Sequence, residues 1–105
     1  MGVYKFTNPR IFPRYNVDYT YSNYLNAGAS KTIGTGETGD KYIIFTSRGA
    51  VLLLLFYTSG NFGVISFAGD YTNHMSVTSA GTAKATIKNT YGANYAVIVL
   101  HVGGR

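Results

Sequence analysis

The chain has 105 residues and a formal net charge of +5, enough for one domain around one hydrophobic core and too short for a multidomain enzyme. Charged residues make up only 12% of it, against roughly 25% in an average soluble domain. Thr, Ser, Asn, 13 Gly, 10 Tyr and 6 Phe take their place, Glu occurs once and Gln is absent, so strand and turn formers dominate and the composition predicts an all-β fold. With no cysteine, no disulfide supports the fold, and the redox compartment stays open.

Residues 1–14 carry Lys5, Arg10 and Arg14, no acid, and the prolines Pro9 and Pro13. Proline removes a ladder donor and holds its predecessor extended, so this stretch reads as an arm ahead of a domain spanning 15–105. It lacks the basic start, apolar middle and small-residue cleavage site of a secretory signal. Phe6 also stands where a myristoylation signal needs Ser or Thr. From Tyr15 the pattern has period two, with Tyr15, Val17, Tyr19 and Tyr21 on one face, as in a half-buried strand.

A turn at residues 26–29 precedes a short strand over 30–34, a Gly-rich loop over 35–40 and a strand over 41–47. Residues 51–58 are apolar on both faces, which predicts a central strand; the apolar run is far short of the ~20 residues of a membrane-spanning helix. Strands over 62–68, 74–79 and 83–88 follow, with residues 89–94 closing a last hairpin into a strand over 95–102 that is again apolar on both faces. About eight strands at near ten-residue spacing predict an antiparallel sandwich, jelly-roll-like, with an extended N-terminal arm. Two strands apolar on both faces are more than one small core hides, so a homo-oligomer is expected, with Val51, Leu52, Leu54, Phe56, Tyr95, Val97 and Val99 at its interface.

Residues Gly34, Gly36 and Gly39 match the dinucleotide fingerprint G-x-G-x-x-G, but that fingerprint needs a helix after it and the following residues read as a strand. Asp40 also stands where a phosphate loop requires Lys, so a hairpin loop is expected there, with Glu37 and Asp40 as solvated acids. The nearest approach to a nucleophilic set is Asp70, His74 and Ser66 or Ser76, without a nucleophile elbow. The histidines are His74 and His101, in no metal-ligand spacing, so no metal, cofactor or enzymatic activity is expected. The nine basic residues are dispersed and form no stripe among the aromatics, which argues against nucleic acid; nothing points to a membrane. The arm, with Lys5, Phe6, Arg10, Phe12 and Arg14, reads as a clasp for an acidic protein surface. Two loops combine the groups that hold sugars: Asp70, Tyr71, Asn73 and His74 in one, Tyr91 and Asn94 in the other.

The closing run Ile87-Lys88-Asn89-Thr90-Tyr91-Gly92-Ala93-Asn94-Tyr95-Ala96-Val97-Ile98 follows the pattern Ile-x-Asn-x-x-Gly-x-x-Tyr-x-x-Val in its Ile, Asn, Gly and Tyr, with Ile98 in the last position. It resembles the C-terminal strands of small β-sandwich virion proteins of bacteriophages, such as fibre tips and head-decoration or head-fibre subunits. The resemblance implies a non-enzymatic, usually trimeric, assembly or adsorption protein located in the virion. The arm would then attach to other virion proteins. The alternative expectation is a lectin-like module that binds a host surface glycan through the loops 69–74 and 89–94.

Overall fold

The computed structural model describes residues 17–102, so the arm expected over residues 1–14 lies outside it. Eight strands follow in order: β1 (Val17–Leu25), β2 (Ser30–Ile33), β3 (Lys41–Thr46), β4 (Val51–Phe56), β5 (Phe62–Ala68), β6 (Met75–Gly81), β7 (Lys84–Asn89) and β8 (Tyr95–Val102). A 3-10 turn, Tyr71–Asn73, leads into β6. The strands form two antiparallel sheets, five strands ordered β1-β8-β3-β4-β5 and three ordered β2-β7-β6.

The architecture is the expected all-β sandwich. It shares with a jelly roll the pairing of the first strand with the last and the repeated crossing between sheets, and it adds a meander in which β3, β4 and β5 are neighbours in one sheet. Two expected hairpins are crossings instead. The loops 34–40 and 90–94 each carry the chain from the small sheet to the large one, since β2 and β7 pair with each other while β3 and β8 pair across the sandwich. Gly34 makes the first crossing feasible: its φ is +114°, and a Cβ there would collide with the Ala83 carbonyl.

One hydrophobic core fills the space between the sheets. Alternation assigns the residues: Tyr42, Ile44, Leu52, Leu54, Phe56, Val97 and Val99 point inward from the large sheet and are essentially unexposed. Ala85 and Ile87 of β7 and Met75 of β6 meet them from the small sheet, while Lys84 and Lys88 alternate outward. Burying each Val, Leu, Ile or Phe contributes ~1.5–3 kcal/mol, which is what holds a cysteine-free sandwich shut.

This packing corrects the expected interface. Leu52, Leu54, Phe56, Tyr95, Val97 and Val99 lie in the interior of a single chain, and of the seven residues assigned to assembly only Val51 faces the other way. The outward residues on those strands are Leu53, Leu55, Ile98 and Leu100. The expected alternation in β1 also breaks, because a bulge between Tyr19 and Tyr21 sets Tyr19 opposite Leu100 but Tyr21 opposite the inward Val99.

Leu54→Asp should therefore abolish folding rather than only association. An unpaired carboxylate in the core adds to the ~2–5 kcal/mol of a Leu→Ala cavity, against a total stability of about 5–15 kcal/mol. Circular dichroism during urea titration checks this, and a cooperative transition near that of the wild type would contradict it.

Candidate functional site

Loops from both sheets meet at one end of the sandwich. The Thr90 amide donates to the His74 carbonyl at 3.0 Å, so the loops 69–74 and 89–94 adjoin. The β3–β4 turn completes the cluster, with Ser47 N–H bonded to the Ala96 carbonyl at 2.9 Å and the Arg48 guanidinium 3.8 Å above the centre of the Tyr91 ring. Among the six residues assigned to ligand binding, Asp70, Asn73, Tyr91 and Asn94 are exposed, Tyr71 is half-buried against the core, and His74 is buried.

Three of the six, Asp70, Asn73 and His74, have side-chain hydrogen bonds within the protein. The Asp70 carboxylate caps the 3-10 turn, accepting from the Thr72 amide at 3.0 Å and from the Thr72 hydroxyl, and these bonds, the hydroxyl first, hold its carboxyl below the usual range. Asn73 Oδ1 contacts His74 Nδ1, and the other ring nitrogen lies 2.8 Å from the Thr46 hydroxyl. An amide oxygen only accepts, so Nδ1 carries the proton and Nε2 accepts from Thr46, whose oxygen in turn accepts the Ala50 N–H at 3.3 Å. Thr46, His74 and Asn73 thus follow the order hydroxyl, imidazole, amide. Both Thr46 and His74 belong to the interior, so the relay joins β3 to the start of β6 where a catalytic one would open to a substrate. Ser66 donates instead to the Gly69 carbonyl at 3.0 Å.

The Tyr95 hydroxyl also donates to the His74 carbonyl, and its ring stands edge-on to the imidazole at 5.0 Å. Burial pushes the Tyr95 hydroxyl up to about 12. Burial first, and the Arg48 charge second, push His74 below its ordinary 6.5.

The opposite end holds a second polar cluster that sequence reasoning missed. Asp40, expected as a solvated acid, is 1% exposed, and this corrects that expectation. Its Oδ2 accepts from the Thr35 hydroxyl at 2.9 Å and from Tyr42 at 3.4 Å, while its Oδ1 lies 3.3 Å from Nε2 of the partly exposed His101. The His101 ring stacks on Tyr42 with centroids 4.6 Å apart, and burial together with the Asp40 charge pushes the Tyr42 hydroxyl up to about 12. Both hydroxyls donate to the carboxylate and neither lies on the imidazole, so the geometry is that of a held carboxylate. The available signal was position: His101 shares the inward parity of Val97 and Val99, where a lone imidazole needs a partner.

Among the described residues no group of three or more His, Asp or Glu side chains is placed to hold a metal ion. Among the described residues no helix is long and apolar enough to cross a membrane. No family model, curated protein or solved structure matches the chain.

The large sheet has a second, outward face. Ile43 and Phe45 of β3, Leu53 and Leu55 of β4, Ile65 of β5, and Ile98 and Leu100 of β8 lie on four adjacent strands in register, Ile43 between Leu53 and Leu100, and Leu53 opposite Ile65, while the exposed Phe67 follows in the irregular end of β5. Lys41 stands at the margin, its ammonium bonded to the Gly39 carbonyl at 3.2 Å. Phe45, Ile65 and Phe67 are 38%, 48% and 59% exposed, and the rest of this belt is half-buried.

Because His74 is buried neutral, an unfolded chain takes up a proton there more readily than the folded one. Its contribution to stability is complete above about pH 7 and is lost as pH falls through the unfolded value near 6.5. Melting temperature should accordingly fall between pH 7 and pH 5 in the wild type and fall less in His74→Gln. Equal slopes in a calorimetric pH series would assign the acid sensitivity to other groups.

Proposed function

We propose that the chain is a non-enzymatic structural subunit of a bacteriophage virion, a capsid-decoration or short-fibre protein that assembles with copies of itself and docks on its particle through residues 1–14. The observation that carries this is the outward belt of Ile43, Phe45, Leu53, Leu55, Ile65, Phe67, Ile98 and Leu100. A contiguous apolar face of this kind marks an interaction surface, and its lack of charge within the belt suits a like-charged copy of the chain. The resemblance of the closing strands to virion proteins supplies the setting. The sugar-binding alternative has less to stand on, because Arg48 covers one face of Tyr91 and the Asp70 carboxylate and Asn73 side-chain oxygen are engaged within their own loop.

The arm supports docking through its charge, Lys5, Arg10 and Arg14 without an acid, which steers association with an acidic surface. It leads toward Val17, which pairs with Val102 beside the His101 end of the sandwich.

Light scattering on a size-exclusion column tests the assembly. The wild type should be oligomeric, and Leu53→Asp should remain folded while losing mass, unlike Leu54→Asp on the adjacent inward position. A wild-type monomer would overturn the proposal. Deleting residues 1–14 should leave the melting temperature within a few degrees of the wild type and abolish co-sedimentation with acceptor particles; retained co-sedimentation would reject the docking role.

A further inference from the structure

The outward belt ends at β5, the edge of the large sheet, and among the described residues no strand pairs with its outer side. Its sequence, Phe62-Gly63-Val64-Ile65-Ser66-Phe67-Ala68, has neither proline nor charge, and its ladder to β4 is regular from Phe62 to Ser66, with an irregularity only beyond. The other edges differ. β1 carries Asp18 and a bulge in mid-strand, β2 has four residues including Lys31, and β6 shows exposed Thr78 and Ser79. Native sheets protect an open edge with charge, proline, bulges or shortness, because its free amides and carbonyls recruit another strand.

The exposed apolar side chains concentrate at the same place. Of six exposed large hydrophobic residues among those described, Tyr57, Ile65 and Phe67 flank β5. Tyr57 lies across Gly63 so closely that a Cβ at Gly63 would collide with its hydroxyl, which leaves an aromatic wall along the edge.

We propose that β5 is a strand-pairing site for β5 of a second copy, antiparallel across a two-fold axis at Ile65, joining two five-stranded sheets into one of ten. The strand is self-complementary in this register. Ile65 meets Ile65 of the partner subunit and Val64 meets Ser66 of the partner subunit, both within the part of β5 whose ladder is regular. No charge lies between Phe62 and Gly69, so two chains of net charge +5 approach here without local repulsion.

The proposal rests on the outer-face assembly described above and specifies its geometry. One five-stranded face covers roughly 24 Å by 20 Å, so stacking two single copies buries about 1,000 Å² in total, the lower bound for a specific interface. Edge pairing doubles the face. Two ten-stranded sheets stacked through their belts bury about 1,900 Å², a standard size, and the product is a tetramer with three mutually perpendicular two-fold axes.

The chain has no cysteine, so a single introduced one reports the edge. Residues opposite each other in an antiparallel pair have Cα atoms ~4.5–5.5 Å apart, within disulfide reach. Under mild oxidation Ile65→Cys should double in mass on a non-reducing gel, while Thr78→Cys on the edge of the small sheet should not. Leu53→Asp should convert the tetramer to an edge-paired dimer with its β5 amides still protected from hydrogen exchange. An even-numbered assembly in which Ile65→Cys couples no faster than Thr78→Cys would overturn the edge pairing and leave the outer-face assembly standing, as would a trimer. A wild-type monomer would overturn both, including one whose β5 amides are already protected by another segment of its own chain.

Discussion

Two sheets without a covalent tie must be held face to face by what lies between them, and in this chain that depends on strict alternation in β3, β4 and β8. Tyr42, Leu54 and Val99 face the small sheet only because Ile43, Leu53 and Leu100 face away. A slip of one residue in any of these strands would exchange interior for exterior. The pairing is pinned at one end by His74, whose ring holds Thr46 of β3 and whose carbonyl accepts from Tyr95 of β8 and the Thr90 amide. A single buried residue thereby joins the small sheet's β6 to two strands of the large sheet.

The other buried polar groups have a related placement. Asn89 donates its side-chain amide to the Leu25 and Ala93 carbonyls and accepts from the Tyr91 amide, which fixes the crossing from β7 to β8 beside the β1–β2 turn. Asp40 marks the crossing from β2 to β3 in the same way, at the far end. Buried polar side chains need partners, and they are affordable where irregular backbone must change sheets. Both clusters therefore read first as joints of the sandwich, and among the described residues the outer belt is the apolar face that the sandwich leaves uncovered.

Much of the architecture was legible because turn residues punctuate the chain at regular intervals. The bounds of β5 and β8 follow from glycine and asparagine on either side, and the alternation of Ala85 and Ile87 with Lys84 and Lys88 assigns inside and outside in β7 without ambiguity. The same logic fails where a strand is apolar on both faces. Nothing local tells Leu53 from Leu54, so alternation alone does not separate the interior set from the outward one, and only the register against Tyr42 and Val64 does. Loops that cross between sheets look like hairpin loops for a similar reason, since Gly and Asn serve both. The burial of Asp40 depends on contacts with His101, far away in sequence; the inward parity of His101 calls for a partner, but nothing local singles out Asp40 as that partner.

The placement of β8 also governs how the molecule is made. β8 lies between β1 and β3, pairing Val17–Leu25 with residues near the opposite end of the described chain. During synthesis, β1 emerges first and has no ladder partner in its own sheet until β8 has left the ribosome. The core stays open until β8 has been made, and folding is completed by contacts of long sequence separation, which are the slow ones to form. The outward apolar residues of β3, β4 and β5 have already been made in that interval, so a large unpaired apolar surface stays exposed while the fold waits for β8.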